Sequence, residues 1–225
     1  MLTGPVLSPV SGIIRKIVIF LHGYGATGDD LIDIGAQWAK HLPDTLFVSP
    51  HAPDVCEMSP LGYQWFGLQD FNPLNIRQGM DSAAPIITHY IKNLMAEHKL
   101  EAKDIALVGF SQGSMLAMDM VFQISGLGGI VGYSGAFYPP ALLDRPKDSP
   151  PILLVHGTAD TVVPYAALLH AQTQLQLYGV KVTPQTCNGL GHSIDDLGLR
   201  VGREYLYKAL FQGTSVQNQD ARKTV

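Results

Sequence analysis

Short apolar runs rich in β-branched residues alternate along this chain with longer segments in which apolar positions recur every three or four residues. Residues 13–21 contain IVIFL, 45–49 read TLFVS, 105–110 read IALVGF, 129–133 read GIVGY and 152–156 read ILLVH. Runs without polar alternation suit strands of a parallel sheet covered on both faces. Residues 180–187 (VKVTPQTC) alternate more and contain Pro184, which has no N–H for a ladder, so they predict an edge strand. Between the runs, the spacing predicts helices over 31–41, 76–98, 113–124, 165–177 and 194–210. The clearest is 76–98, where Ile76, Met80, Ala83, Ile87, Ile91 and Leu94 form one stripe. This alternation predicts a doubly wound, mostly parallel α/β fold in a single domain over 1–212. The closing stretch 213–225 (GTSVQNQDARKTV) is polar without period and reads as a frayed tail.

One connection breaks the pattern. Residues 51–75 (HAPDVCEMSPLGYQWFGLQDFNPLN) show neither helix nor strand period. Loops longer than about 12–15 residues are uncommon in compact domains and often line or cover a site. This one carries Tyr63, Trp65, Phe66, Leu68 and Phe71. It is either a compact loop packed down on the core or the apolar wall of a substrate site.

Composition narrows the class further. With 46% hydrophobic residues and only 15% charged, the chain has the apolar mass to bury a core, which excludes a disordered protein. A net charge of −4 gives no basic footprint for nucleic acid. The two cysteines, Cys56 and Cys187, stand far apart with no CxxC or Cys/His cluster. They read as buried free thiols in a reducing compartment rather than as a disulfide framework or zinc site. No signal peptide is visible at the N-terminus, and the apolar runs are far short of the ~18 residues a membrane span needs. The expectation is a cytoplasmic protein without a transmembrane segment.

The strongest chemical signal is Gly109-Phe110-Ser111-Gln112-Gly113, which follows an apolar strand and precedes a helix. That context is what a nucleophile elbow demands. A sharp turn forces unusual backbone angles at the serine, and glycines two positions to either side let strand and helix approach. The turn raises Ser111 above the carboxyl edge of the sheet and aims the Gln112 N–H at a developing oxyanion. Ser134, in Gly132-Tyr133-Ser134-Gly135, lacks the second flanking glycine and reads as a strand-end turn.

A serine needs a general base, and the base an orienting acid, in the chain order Ser, Asp or Glu, His. His170 falls inside a predicted helix and His156 ends a strand before the remaining acid. His192, in Asn188-Gly189-Leu190-Gly191-His192, lies in a Gly-rich loop between the last strand and last helix, where it can reach the elbow. Between Ser111 and His192 the acids are Asp119, Asp144, Asp148 and Asp160. Asp119 belongs to the helix leaving the elbow, and Asp144 and Asp148 precede a strand at the wrong end of the sheet. Asp160 follows ILLVHGTA, just past the carboxyl end of its strand, where sites of open α/β sheets lie. The second oxyanion donor is expected from the turn Leu21-His22-Gly23-Tyr24-Gly25, at the Tyr24 N–H. Because backbone atoms donate, substituting the side chain of Tyr24 or Gln112 is expected to leave activity partly intact.

At these residues the chain resembles the bacterial phospholipase/carboxylesterase group of α/β-hydrolases, which is similar to the eukaryotic acyl-protein thioesterases. The resemblance is carried by LHGYGATGDD, the WF pair at Trp65-Phe66, GFSQGSMLA, SGAF, VHGTADTVVP and GLGHSI, and runs to about Phe211. It implies a Ser/Asp/His esterase on a reduced α/β-hydrolase core without a large cap domain, with no cofactor and no metal. Carried over by position, it places the nucleophile on Ser111, the acid on Asp160, the base on His192 and the oxyanion donors on Tyr24 and Gln112. It also implies that Trp65, Phe66, Leu68 and Phe71 border an acyl pocket, and that homodimers are common. Ser114 stands where relatives often have glycine, and Gly67 where many have an acid. The expected activity is hydrolysis of small carboxylic esters with short to medium acyl chains, with thioesters open. A thioesterase or lysophospholipase for long acyl chains is the alternative, and a catalytically silent binding module the remote one.

Overall fold

The computed structural model describes residues 2–68, 72–140 and 146–212. The apolar runs become strands β2 (Lys16–Leu21), β3 (Thr45–Val48), β6 (Ile105–Phe110), β7 (Gly129–Tyr133) and β8 (Ile152–Gly157). Short β1 (Val6–Leu7) and β9 (Val182–Cys187) join them in a seven-stranded sheet of order β1-β3-β2-β6-β7-β8-β9. Only β1 runs antiparallel to its neighbour; the other pairs are parallel. Pro184 lies in β9, which is an edge strand as its proline required.

The helices are α1 (Asp29–Trp38), α2 (Pro73–His98), α3 (Gln112–Gln123), α4 (Ala166–Leu177) and α5 (Asp196–Phe211). Successive side chains of a strand point to opposite faces, so each central strand feeds two cores. Ile17, Ile19 and Leu21 of β2 pack with residues of α2, α3 and α4, while Val18 and Phe20 pack with residues of α1 and α5. This is a doubly wound α/β-hydrolase core without a large cap. Burying an aliphatic side chain of this kind stabilises the fold by about 1.5–3 kcal/mol, an upper estimate since unfolded chains already bury some surface. Among the described residues, no helix is long and apolar enough to cross a membrane.

The connection over 51–75 is more regular than its sequence suggests. It contains a hairpin of β4 (Asp54–Cys56) and β5 (Ser59–Gln64), and α2 already begins at Pro73 with Asn72 as its cap. The hairpin escapes a period search because Leu61 is 92% exposed while Gly62 is buried, the reverse of an apolar-in pattern. Cys56 and Cys187 are both free and buried. The tail at 213–225 lies outside the described residues.

Candidate active site

β6 ends where α3 begins, and Ser111 occupies the turn between them at φ 52°, ψ −116°. Such angles cost a non-glycine residue on the order of 1–3 kcal/mol and persist only where the surroundings enforce them. Here the Ser111 N–H donates to Tyr133 O (2.9 Å), and Ser111 O accepts from the N–H groups of Ser114 (3.0 Å) and Met115 (3.1 Å). A Cβ on Gly113 would strike the Leu21 carbonyl, and one on Gly109 would strike Gly113 O, so both flanking glycines are required by contact. Ser114 is fully buried against Gly132 and Gly135, which accommodates its departure from glycine. Ser134 ends β7 at φ 48° with its N–H on Val155 O, a strand-end turn as its sequence context implied.

Asp160 and His192 come from separate loops at the same end of the sheet. His192 Nδ1 donates to Asp160 Oδ2 at 2.8 Å, which fixes the Nδ1–H tautomer of the neutral ring and leaves Nε2 free to take a proton. The other oxygen, Oδ1, accepts the N–H groups of Val162 and Val163, both at 2.9 Å. The side chain therefore also holds the turn that leads to α4. Burial pushes the Asp160 carboxyl up, but the bonds from His192, Val163 and Val162 outweigh it and hold the group below the usual carboxylate range. It stays ionised.

His156 was passed over in the sequence and sits against the same carboxylate. It is buried at the end of β8, with Nε2 2.8 Å from Val163 O and 3.3 Å from Asp160 Oδ2. Both neighbours are acceptors, so Nε2 carries the hydrogen. The only sequence signal was a histidine closing an apolar strand four residues before Asp160.

The turn at Gly23 and Tyr24 is built by buried neighbours. His22 Nδ1 donates to Gly23 O (2.8 Å), and its Nε2 accepts the Ala52 N–H (3.0 Å). Burial holds His22 below its ordinary value, against the pull of the Gly23 carbonyl, and so favours the neutral ring this pattern needs. The hairpin buttresses the other side: Gly25 N–H donates to Tyr63 O (2.9 Å) and Tyr63 N–H to Ala26 O (2.8 Å). The Gln112 side chain ties the elbow to the same segment. Its Oε1 accepts the Trp65 N–H (3.0 Å), and its Nε2 donates to Phe66 O (2.7 Å).

Contrary to the sequence expectation, Trp65 and Phe66 are not among the residues lining the cavity onto which Ser111 opens. Both are buried in the core, with Trp65 Nε1 donating to His22 O (2.9 Å) and the Phe66 ring against Gly79. An indole N–H needs a partner when buried, and here the partner is the carbonyl of His22, just before the Gly23–Tyr24 turn. Leu68 does face the cavity, and Phe71 lies outside the described residues.

Ser111, His192 and Tyr24 open onto one cavity of about 1000 Å³. Its walls come from Pro73 and Ile76 of α2, Met115 of α3, the segment 136–139 after β7, and the turn and first residues of α4. Among the described residues, no Lys, Arg, Asp or Glu lines it. A smaller cavity of about 330 Å³ shares Gly23, Phe110 and His192 with it and adds Asp30, Leu31, Ser193 and Ile194. Among the described residues, no group of three or more His, Cys, Asp and Glu side chains is placed to hold a metal ion.

A family model described as phospholipase/carboxylesterase matches residues 8–210, nearly the whole described chain. The chain belongs to the phospholipase/carboxylesterase family. Members similar to it include the esterase YpfH of Escherichia coli (strain K12), 26% identical over 193 residues, covering 85% of this chain and 82% of YpfH. The acyl-protein thioesterase 1 of Neurospora crassa is 28% identical over 209 residues, covering 84% of each chain. Among solved structures, that of esterase PE8 superposes with a TM-score of 0.88 at 37% identity, covering 93% of this chain and 99% of PE8.

Proposed function

We propose that the protein is a serine carboxylesterase that works through an acyl-enzyme. The observation that carries this reading is the His192–Asp160 hydrogen bond beside an apolar cavity onto which Ser111 also opens. His192 Nε2 takes the Ser111 hydroxyl proton as Oγ attacks the ester carbonyl, while Asp160 steadies the imidazolium that forms. The backbone N–H groups of Tyr24 and Gln112 face the oxyanion, and each such donor is worth about 2.7–4 kcal/mol in the transition state. His192 then gives its proton to the departing alcohol. In the second half, it deprotonates a water that attacks the acyl-Ser111 ester, and the proton returns to Ser111 as the acid leaves.

The acyl group takes the large cavity, whose apolar walls reward methylenes and, among the described residues, offer no Lys or Arg to an anionic head. The alcohol takes the smaller cavity, where Asp30 is the charged lining residue and disfavours negatively charged leaving groups. A volume of about 1000 Å³ stands at the upper end of the roughly 300–1,000 Å³ range for small-molecule sites. That size favours the second reading, long acyl chains, alongside the short and medium esters expected from sequence. With Cys56 and Cys187 free, we place the protein in the cytoplasm. Hydrolysis of p-nitrophenyl acyl esters from acetyl to dodecanoyl tests the proposal. Wild type is expected to turn them over and Ser111→Ala to fall to background; equal rates in both overturn it. An optimum beyond octanoyl selects the long-chain reading.

A further inference from the structure

Behind the large cavity lies an ion pair that the chemistry above does not use. Arg77 is buried on α2, one residue after the cavity-lining Ile76. Its Nη1 donates at once to Asp119 Oδ1 (2.7 Å) on α3 and to Tyr138 O (2.8 Å) in the segment after β7. Its Nε donates to Asp81 Oδ1 (3.1 Å) on its own helix, and Nη2 stands 2.8 Å from the same oxygen. Asp119 is fully buried on the helix that starts at the nucleophile, four residues beyond the cavity-lining Met115. One guanidinium therefore ties together three walls of the cavity.

The cost of this arrangement argues that it does something. Removing two charges from water is compensated only by good geometry and full hydrogen bonding, and apolar replacements are often as stable. Burial pushes the Asp119 carboxyl up, against the pull of Arg77. What an apolar pair lacks is a donor for a main-chain carbonyl. The segment 136–139 contains no strand or helix to hold it, and its Ala136, Phe137, Tyr138 and Pro139 all line the cavity. Phe137 is anchored by stacking on Phe122 of α3, with centroids 6.1 Å apart. Tyr138 O is anchored by Arg77. Gly135 packs near Ser111 O, and Tyr138 follows it by three residues along the cavity wall. An octanoyl group extends farther from the reacting carbonyl than an acetyl group and so meets more of the cavity wall.

Resting on the esterase reading, we propose that Arg77, held by Asp119, is a positioning residue that fixes the 136–139 wall of the acyl cavity and so sets acyl-length preference. It touches neither Ser111 nor His192 and acts only on how the far part of the chain is held.

The test is the acyl-length profile of p-nitrophenyl esters for the double variant Arg77→Met/Asp119→Leu, which removes both charges and leaves neither stranded. The ratio of octanoyl to acetyl kcat/KM is expected to fall about tenfold, chiefly through a higher KM for octanoyl, with acetyl hydrolysis within about twofold of wild type. The thermal unfolding midpoint establishes that the variant is folded. If the double variant does not fold, Arg77→Lys decides: it keeps a cation for Asp119 but loses the fork, and a smaller fall in the same ratio is expected. A ratio within about twofold of wild type, a raised ratio, or an equal loss on both esters overturns the proposal. A wild type that hydrolyses no ester takes the esterase reading down with it, whereas an active wild type with parallel variant profiles defeats the positioning role alone.

Discussion

Gln112 carries two separate duties at the level of a single residue. Its N–H is the proposed oxyanion donor, while its side-chain amide closes on buried backbone groups of Trp65 and Phe66. The sequence argument that a backbone donor makes the side chain expendable therefore applies to Tyr24 and not to Gln112. Gln112→Ala strands a buried N–H and C=O, each costing about 1–3 kcal/mol. It is expected to lower the urea midpoint and to reduce kcat at least tenfold, whereas Tyr24→Phe is expected to keep activity within about threefold. His156 is the other residue whose duty was invisible, because its partners, Val163 O and Asp160, follow it by several residues across a turn. His156→Phe removes a donor behind the acid, and a small displacement of a catalytic group costs up to about 10²-fold. The expected result is kcat lowered by about tenfold or more with KM little changed, read by steady-state kinetics.

The elements were legible wherever burial imposes a period. The central strands are apolar at nearly every position because helices cover both faces, and α2 shows its stripe for the same reason. The β4–β5 hairpin was illegible because its role is main-chain hydrogen bonding to the turn at Gly25 and Ala26, which leaves no trace in side-chain hydrophobicity. For the same reason Trp65 and Phe66 looked like pocket aromatics and proved to be the pegs that seat this support. The triad candidates were legible because chain order and strand ends constrain them strongly; the wall at 136–139 was not, since it depends on Arg77 from a distant helix. Gly62 offers a test of the hairpin's part. A Cβ there would strike Gly25 O, so Gly62→Ala is expected to displace the Tyr24 turn and lower kcat by at least tenfold. Circular dichroism should remain that of the folded protein; an unchanged kcat would remove the hairpin from the account.

Across the whole molecule, the two cores meet at one sheet, and the candidate site stands at its carboxyl edge where buried polar groups are concentrated. That placement couples stability to pH. His22 is held below its ordinary value of 6.5 by burial, so the unfolded chain binds its proton first as pH falls. The stability it contributes is fully present above about 6.5 and is lost as pH drops through its lower folded value. Urea unfolding between pH 7 and pH 5 is expected to show this decline, and His22→Asn to flatten it whatever its absolute stability. Asp160 works in the opposite chemical sense but the same pH direction. Its folded value is depressed, so its contribution is present above the ordinary carboxylate range and is lost only as pH falls further, through that depressed value.

This architecture is expected to activate Ser111. The most direct test is labelling with a fluorophosphonate, which reacts with a serine made nucleophilic by its base, followed by mass spectrometry of the peptides. A single adduct on Ser111 is expected, absent in Ser111→Ala and strongly slowed in His192→Ala. No adduct, or one on another residue such as Ser134, would contradict it.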